Sequence, residues 1–271
     1  MSLENIYNEV HNADPSLLDN MQDRREAIKS FNRFAGKVAL ASLPFAIGAF
    51  FKKTYGQSTS SVLDVLNYAL TLEYLEAEFY TMGVGASGLI AAEDRQAFTT
   101  IRDHENAHVN FLKAAITGAG GTAVSKPNFD FTAGGSFADV FTNYDTFLAV
   151  SQAFEDTGVR AYKGQAANLM GNKDVLTAAL NIHSVEARHA SHVRYVRRKR
   201  GAAIKSWITG KDTGGLAAVQ AVYNGEENTS QANVEITNIN GFPISSGAAS
   251  EAFDEPLGSA EVLNIVKPFI K

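Results

Sequence analysis

The chain has 271 residues and a mass of 29.1 kDa, with 45% hydrophobic and 20% charged residues, so it can bury a sizeable core and is not globally disordered. Six prolines and 22 glycines exclude a collagen-like fibre, and a net charge of −5 with a pI near 5.7 argues against a nucleic-acid binder, which must neutralise phosphates. Cysteine is absent, which excludes disulfides, thiolate catalysis, cysteine-ligated zinc, iron–sulfur clusters and c-type haem, so any metal sits among carboxylates and imidazoles.

Residues 1–56 begin polar and turn apolar from Ala35 to Phe51, ending at Lys52-Lys53. The upstream pair Arg24-Arg25, followed by Lys29 and the apolar run, resembles a twin-arginine export signal. The segment departs from that pattern: about two dozen residues precede the arginines, Phe31 and Arg33 delay the apolar run, and no clean small-x-small cleavage site follows. An amphipathic helix that docks on the domain or a partner is the other reading. A spanning helix is disfavoured, because ~20 apolar residues are needed. With the signal, the protein engages the membrane export machinery and reaches the periplasm or the cell exterior; without it, the cytoplasm is the default.

Residues 57–205 carry helical periodicity in four blocks, near 60–83, 91–117, 137–167 and 173–201. A short turn from Gly83 to Gly88 joins the first two, Gly171-Asn172 joins the last two, and a Gly- and Thr-rich stretch from about Gly118 to Gly135 separates the pairs. Residues 206–271 read as a covering extension: Gly- and Asn-rich loops, an alternating strand-like stretch Val234-Glu235-Ile236-Thr237, and a terminal helix from Ser259.

The apolar stripes of the four blocks are each broken by one glutamate. The second runs Phe98, Ile101, Glu105, His108, Leu112, Ala115, and the fourth Val175, Ala179, Ile182, Glu186, His189, Val193, Val196. The first gives Leu66, Leu70, Glu73, Ala77, Tyr80, and the third Phe141, Tyr144, Leu148, Glu155, Val159, Tyr162. A buried carboxylate is costly unless it is protonated, ion-paired or bound to a cation. The hairpins also repeat: Tyr80 and Tyr162 each follow a stripe glutamate by seven residues, and both second helices carry Glu-x-x-His, two strings where composition predicts about 0.35. Three residues along a helix keep Glu and His on one face, so a pseudo-twofold between hairpins brings all six side chains to one central point.

Neighbouring polar residues have plainer readings. Glu76 competes with Glu73 as the ligand of the first helix or supports it, whereas Glu78 belongs to a more polar, solvated face; the Tyr seven residues on from both Glu73 and Glu155 favours Glu73. Asp156 points about 100° from Glu155 and reads as an exposed or structural acid. His104 and His192 either touch the site by a hydrogen bond or are surface imidazoles, and His183 is peripheral. Tyr80 and Tyr162 read as core aromatics whose hydroxyls need partners. The run Arg197-Arg198-Lys199-Arg200 complements the end of a helix dipole, and Trp207 carries no signal.

Two hairpins, one long crossover and this ligand pattern resemble the ferritin-like superfamily of di-iron and di-manganese carboxylate proteins. The strings Leu72–Tyr80, Asp103–His108 and Ala252–Leu257 resemble the ferritin-like group that includes plant desiccation-related proteins and their bacterial relatives. The resemblance implies an all-α ferritin-like four-helix bundle holding two metal ions, Fe or Mn. Glu105 and Glu186 then bridge the ions, His108 and His189 each bind one, and Glu73 and Glu155 are terminal ligands. It further implies redox chemistry with oxygen, hydrogen peroxide or Fe(II) in stress protection, as a ferroxidase or a catalase- or peroxidase-like oxidoreductase. The alternative is a non-catalytic protective protein with a vestigial or structural metal. A homo-oligomer is compatible with either.

Overall fold

The computed structural model describes residues 59–239 and 241–271; the twin-arginine-like or docking segment in residues 1–56 lies outside them. Four long helices dominate: α1 (Thr59–Gly85), α2 (Arg95–Gly118), α3 (Tyr144–Ala166) and α4 (Lys173–Lys199). Helices α1 and α2 pack as one hairpin, α3 and α4 as the other, and α1 lies against α3 across the bundle. No helix among the described residues is long and apolar enough to cross a membrane.

Helix starts differ from the periodicity in two places. Helix α2 begins at Arg95 instead of near 91, because Ala91 and its neighbours fold into turns that end at Asp94, whose carboxylate accepts from Tyr144 Oη at 3.0 Å. The third helix begins at Tyr144 instead of near 137. Its start is set by Asn143, whose side chain accepts from the backbone N–H groups of Asp145 and Thr146, satisfying donors that the helix cannot. Residues 137–143 instead form turns, with Phe137 stacked on Phe269 at 5.9 Å. The crossover is tied to the bundle and to the chain end. Val124 N donates to Asn67 Oδ1 at 2.8 Å, and Phe129 bridges Ile270 in antiparallel fashion.

Past α4 come α5 (Gln220–Tyr223), two hairpins pairing β1 (Ser230–Gln231) with β2 (Val234–Glu235) and β3 (Asn238–Ile239) with β4 (Phe242–Pro243), then α6 (Ser246–Ser250) and α7 (Ser259–Val266). The strand-like stretch around Val234 is thus only two residues of strand, and both face solvent. This C-terminal region covers α3, so residues 147–162 are buried without interruption, on all faces of the helix. Gly164 shows how close the cover lies: a β-carbon there would stand 1.9 Å from Leu257 O. Arg160, 1% exposed, donates to the carbonyls of Val222, Asn224 and Glu255 and pairs with Glu226 Oε1 at 2.8 Å. One end of the bundle is an aromatic cluster centred on Phe79, stacked on Phe147 at 4.9 Å and edge-on to Phe154 at 5.1 Å. Toward the other end, aliphatic residues such as Leu66, Leu112, Ala161 and Ile182 line an apolar cavity. The glutamates lie between.

Candidate metal centre

All six stripe residues converge. Glu73, Glu105, Glu155 and Glu186 are fully buried, His189 is 5% exposed, and His108 is partly buried. Their ligand atoms form two groups, Glu73-Glu105-His108-Glu186 and Glu105-Glu155-Glu186-His189, each within 4.8 Å, with Glu105 and Glu186 common to both. His108 Nδ1 lies 3.1 Å from Glu73 Oε2, 3.1 Å from Glu105 Oε2 and 3.3 Å from Glu186 Oε1. His189 Nδ1 lies 2.8 Å from Glu105 Oε1 and 3.2 Å from Glu155 Oε2.

His108 Nδ1 is within hydrogen-bond geometry of Glu73 Oε2 and Glu105 Oε2, whereas its contact with Glu186 and both contacts of His189 Nδ1 are close without being hydrogen bonds. Among the described residues, Glu105 Oε1, Glu155 Oε2, both oxygens of Glu186 and His189 Nδ1 have no hydrogen-bond partner, although Glu105 Oε1 and His189 Nδ1 are 2.8 Å apart. Buried polar atoms are nearly always satisfied. Orphaned oxygens and a ring nitrogen that crowd together without bonding one another aim their lone pairs at shared points, and the donor set suits Fe, Mn or Zn. Each group could therefore hold a metal ion.

Electrostatics agree. Burial raises the carboxyls of Glu155 and Glu186 above the ordinary range and lifts Glu73 to about 7. Burial also opposes ionisation of Glu105, yet His108 and His189 hold it at about 2. Burial works against both imidazolium ions as well; the surrounding carboxylates win, raising His189 to about 11 and His108 further. Without a cation, the cluster balances itself by binding protons.

Two tyrosines tie the hairpins together. Tyr80 Oη on α1 donates to Glu155 Oε1 on α3 at 2.5 Å, and Tyr162 Oη on α3 donates to Glu73 Oε1 on α1. Each fixes one oxygen of a glutamate; of the other two, Glu73 Oε2 faces His108 Nδ1 and Glu155 Oε2 has no hydrogen-bond partner among the described residues. Loss of such an outer partner costs ~10–100-fold in metal affinity, so Tyr80→Phe and Tyr162→Phe should each weaken binding by that factor in a chelator competition. Helicity would be unchanged.

His104 is exposed, but its Nδ1 lies 3.0 Å from His189 Nε2 with the rings stacked at 5.2 Å. A proton on His189 Nε2 leaves the lone pair on Nδ1, facing the carboxylates. Of the two readings for His104, the hydrogen bond to the site is the one found. His192 sits edge-on to Phe98 at 6.2 Å, and His183 Nδ1 lies 3.0 Å from Val159 O, away from the cluster. Glu78 is half-buried and pairs with Lys126. Asp156 is structural and not exposed: it receives Arg194 at 2.5 Å and Tyr223 Oη at 2.8 Å. Arg197 does more than face a helix dipole, since it donates to Gln152 Oε1 at 2.5 Å inside the same network. Glu76, 3% exposed, sits beside the six without joining either group. Sequence reasoning gave His104 no clear role because the hairpin repeat matches it with Val185, which offers no parallel.

Residues 61–199 match the family of the ferritin-like domain, just over half of the chain. The chain belongs to the ferritin-like family. A search of curated proteins finds no matching relative. In this ferritin-like domain the matched span starts inside α1 and ends with α4, so it contains both hairpins and every residue of the two groups.

Proposed function

We propose that this ferritin-like protein holds two iron or manganese ions and uses them in redox chemistry with oxygen, hydrogen peroxide or Fe(II). The observation that carries the proposal is the set of orphaned, converging donor atoms in the buried bundle centre. Glu105 and Glu186, common to both groups, would be held in common by the two ions, Glu73 and Glu155 would each serve one of them, and His108 and His189 would each take one ion. Four glutamates supply four negative charges, which balance two divalent cations. Bound there, the ions would supply the electrons exchanged with oxygen or peroxide. The residues do the rest: tyrosine hydroxyls hold the terminal carboxylates, His104 holds His189, and partly exposed His108 marks the side nearest solvent. With no cysteine in the chain, reducing equivalents come from an external donor. The strings Leu72–Tyr80 and Ala252–Leu257 support placing the protein in the desiccation-related group, hence a role in stress protection.

Elemental analysis tests the proposal. The purified protein should carry about two ions per chain, and Glu105→Ala and Glu186→Ala should carry none. Oxygen or peroxide consumption by the loaded protein then reports turnover. Metal content unaffected by both substitutions would rule the site out, and a loaded but inert centre would favour a protective protein with a structural metal.

A pH dependence follows. In the metal-free fold Glu73 keeps its proton up to about 7 instead of 4.5, and the histidines keep theirs above 6.5. Groups with raised values stabilise the fold below their ordinary values, and that stability disappears as pH rises through the folded ones. Depressed Glu105 acts oppositely, but only as pH falls below its ordinary 4.5 toward about 2. Metal-free protein should therefore melt higher near about pH 5 than near about pH 7.5. Loaded protein should show the reverse order, because protons compete with metal for the same atoms. Melting curves at both pH values, with and without metal, check the crossing.

A further inference from the structure

The two hairpins repeat imperfectly, and the imperfection sorts the rings. The repeat that matches Glu105 with Glu186 matches Phe98 with Ala179 and His104 with Val185, so a ring in one hairpin answers to an aliphatic side chain in the other. Among the described residues, rings therefore run to the surface from one ligand group. Tyr80, bonded to Glu155, has Phe98 at 6.2 Å, and Phe98 has His192 at 6.2 Å. His192 in turn has Tyr195 at 6.4 Å, and Tyr195 is 45% exposed. Each step lies within the ~4.5–7 Å over which rings touch. A shorter lead is exposed His104, stacked on His189 at 5.2 Å. Both leads end on the Glu105-Glu155-Glu186-His189 group. On the other group, Tyr162 holds Glu73 and opens instead onto the cavity lined by Leu66 and Ile182. Rings in contact carry electrons better than saturated side chains, because their π levels lie nearer in energy to those of a donor and an acceptor.

Both leads surface beside α4, whose outward stripe is basic. Arg188, Tyr195, Arg198 and Lys199 share one side of that helix and are all exposed. Arg198 Cζ lies 5.9 Å and Lys199 Nζ 5.7 Å from the centre of the Tyr195 ring, and Arg188 is close enough to His104 to oppose its protonation. Arg200 pairs with Asp145 and Arg102 with Asp103, but Arg188, Arg198 and Lys199 form no ion pair among the described residues. Three such cations on a chain of net charge −5 reverse its sign locally, and a patch of this kind steers an oppositely charged partner. The stripe from Arg188 to Lys199 is ~16 Å long, well inside the ~800 Å² that one partner covers in a typical complex.

We propose that the α2–α4 face is the docking surface for an acidic one-electron carrier protein, whose electrons enter through the rings that end on Glu155 and His189. This rests on the di-metal reading above. At each encounter the reduced carrier loses one electron and one ferric ion gains it, so two encounters return an oxidised pair to the ferrous state.

Flavodoxin, an acidic carrier that gives up one electron on passing from hydroquinone to semiquinone, is the probe. Oxidised flavodoxin titrated into the whole metal-free chain should bind, more weakly as salt is added, and Arg198→Glu with Lys199→Glu should weaken binding about tenfold or more. No binding by the parent, or equal binding by the variant, overturns the docking surface whatever the centre holds. The chain is next loaded with Fe(II) and oxidised with one ferricyanide per iron, each taking one electron. Flavodoxin hydroquinone or dithionite, which is small enough to need no docking surface, then reduces it, and loss of the ferric absorbance is followed. His104→Leu with His192→Leu should bind flavodoxin as the parent does, yet its flavodoxin rate should fall about tenfold or more relative to its dithionite rate. An unchanged ratio overturns the ring route and leaves the di-metal reading standing. Should that variant take up no iron, Arg198→Glu with Lys199→Glu decides alone, and a flavodoxin rate equal to the parent's overturns the proposal. A parent that takes up no iron overturns the di-metal reading and electron entry with it.

Discussion

With two ions bound as proposed, stripping them should lower the melting temperature by roughly 15–30 °C. An ion at a thousandfold excess over its Kd stabilises the native state by about 4 kcal/mol, and each kcal/mol moves a domain of this size by ~2–4 °C. Glu186→Gln separates metal-linked stability from stability of the fold itself. Both oxygens of Glu186 are buried without partners and burial pushes its proton affinity up, so the metal-free variant should melt at or above the metal-free parent. The same variant should lose most of the rise on adding Fe(II) or Mn(II). Calorimetry of four samples, parent and variant with and without metal, gives the answer; an undiminished rise in the variant would remove Glu186 from the site.

Asp156→Ala should destabilise the protein by ~3–5 kcal/mol, whether or not metal is present, because breaking a buried pair leaves a charge without compensation. Arg194 is 2% exposed and reaches Asp156 through Nη2 at 2.5 Å and Nε at 3.2 Å. Tyr223 donates to the same carboxylate, Gln152 donates to Tyr223 at 2.9 Å, and Arg197 donates to Gln152. One substitution therefore unsettles α3, α4 and α5 together. Urea denaturation checks the size, and Asp156→Ala with Arg194→Met should recover much of the loss, since an apolar pair of similar volume can replace a buried ion pair. A loss below ~1 kcal/mol would mean that water reaches the pair.

The bundle and its six central residues were legible because they rest on periodicity. A glutamate on an otherwise apolar stripe stands out, and the matched spacings of Glu73–Tyr80 and Glu155–Tyr162 tie one hairpin to the other. Legibility failed where an element is buried on more than one side. Helix α3 shows no solvent face over residues 147–162, so the sequence left Asp156 open as an exposed or structural acid, whereas it lies in a second interior. The start of α3 was misplaced for a related reason: Phe137 and Phe141 carry the apolar pattern upstream, but they serve the aromatic end of the bundle from turns. His104 depended on a contact with His189 across 85 residues, which no local spacing encodes.

The burial of α3 on every side also bears on how small a working version of this protein can be. A chain cut after residue 205 would keep both hairpins yet bare the sixteen-residue sleeve from 147 to 162, with Arg160 stripped of its carbonyl acceptors and Asp156 of Tyr223. Such a stump would clump before it could be loaded, so a trimmed variant needs its outer side repainted with polar residues first.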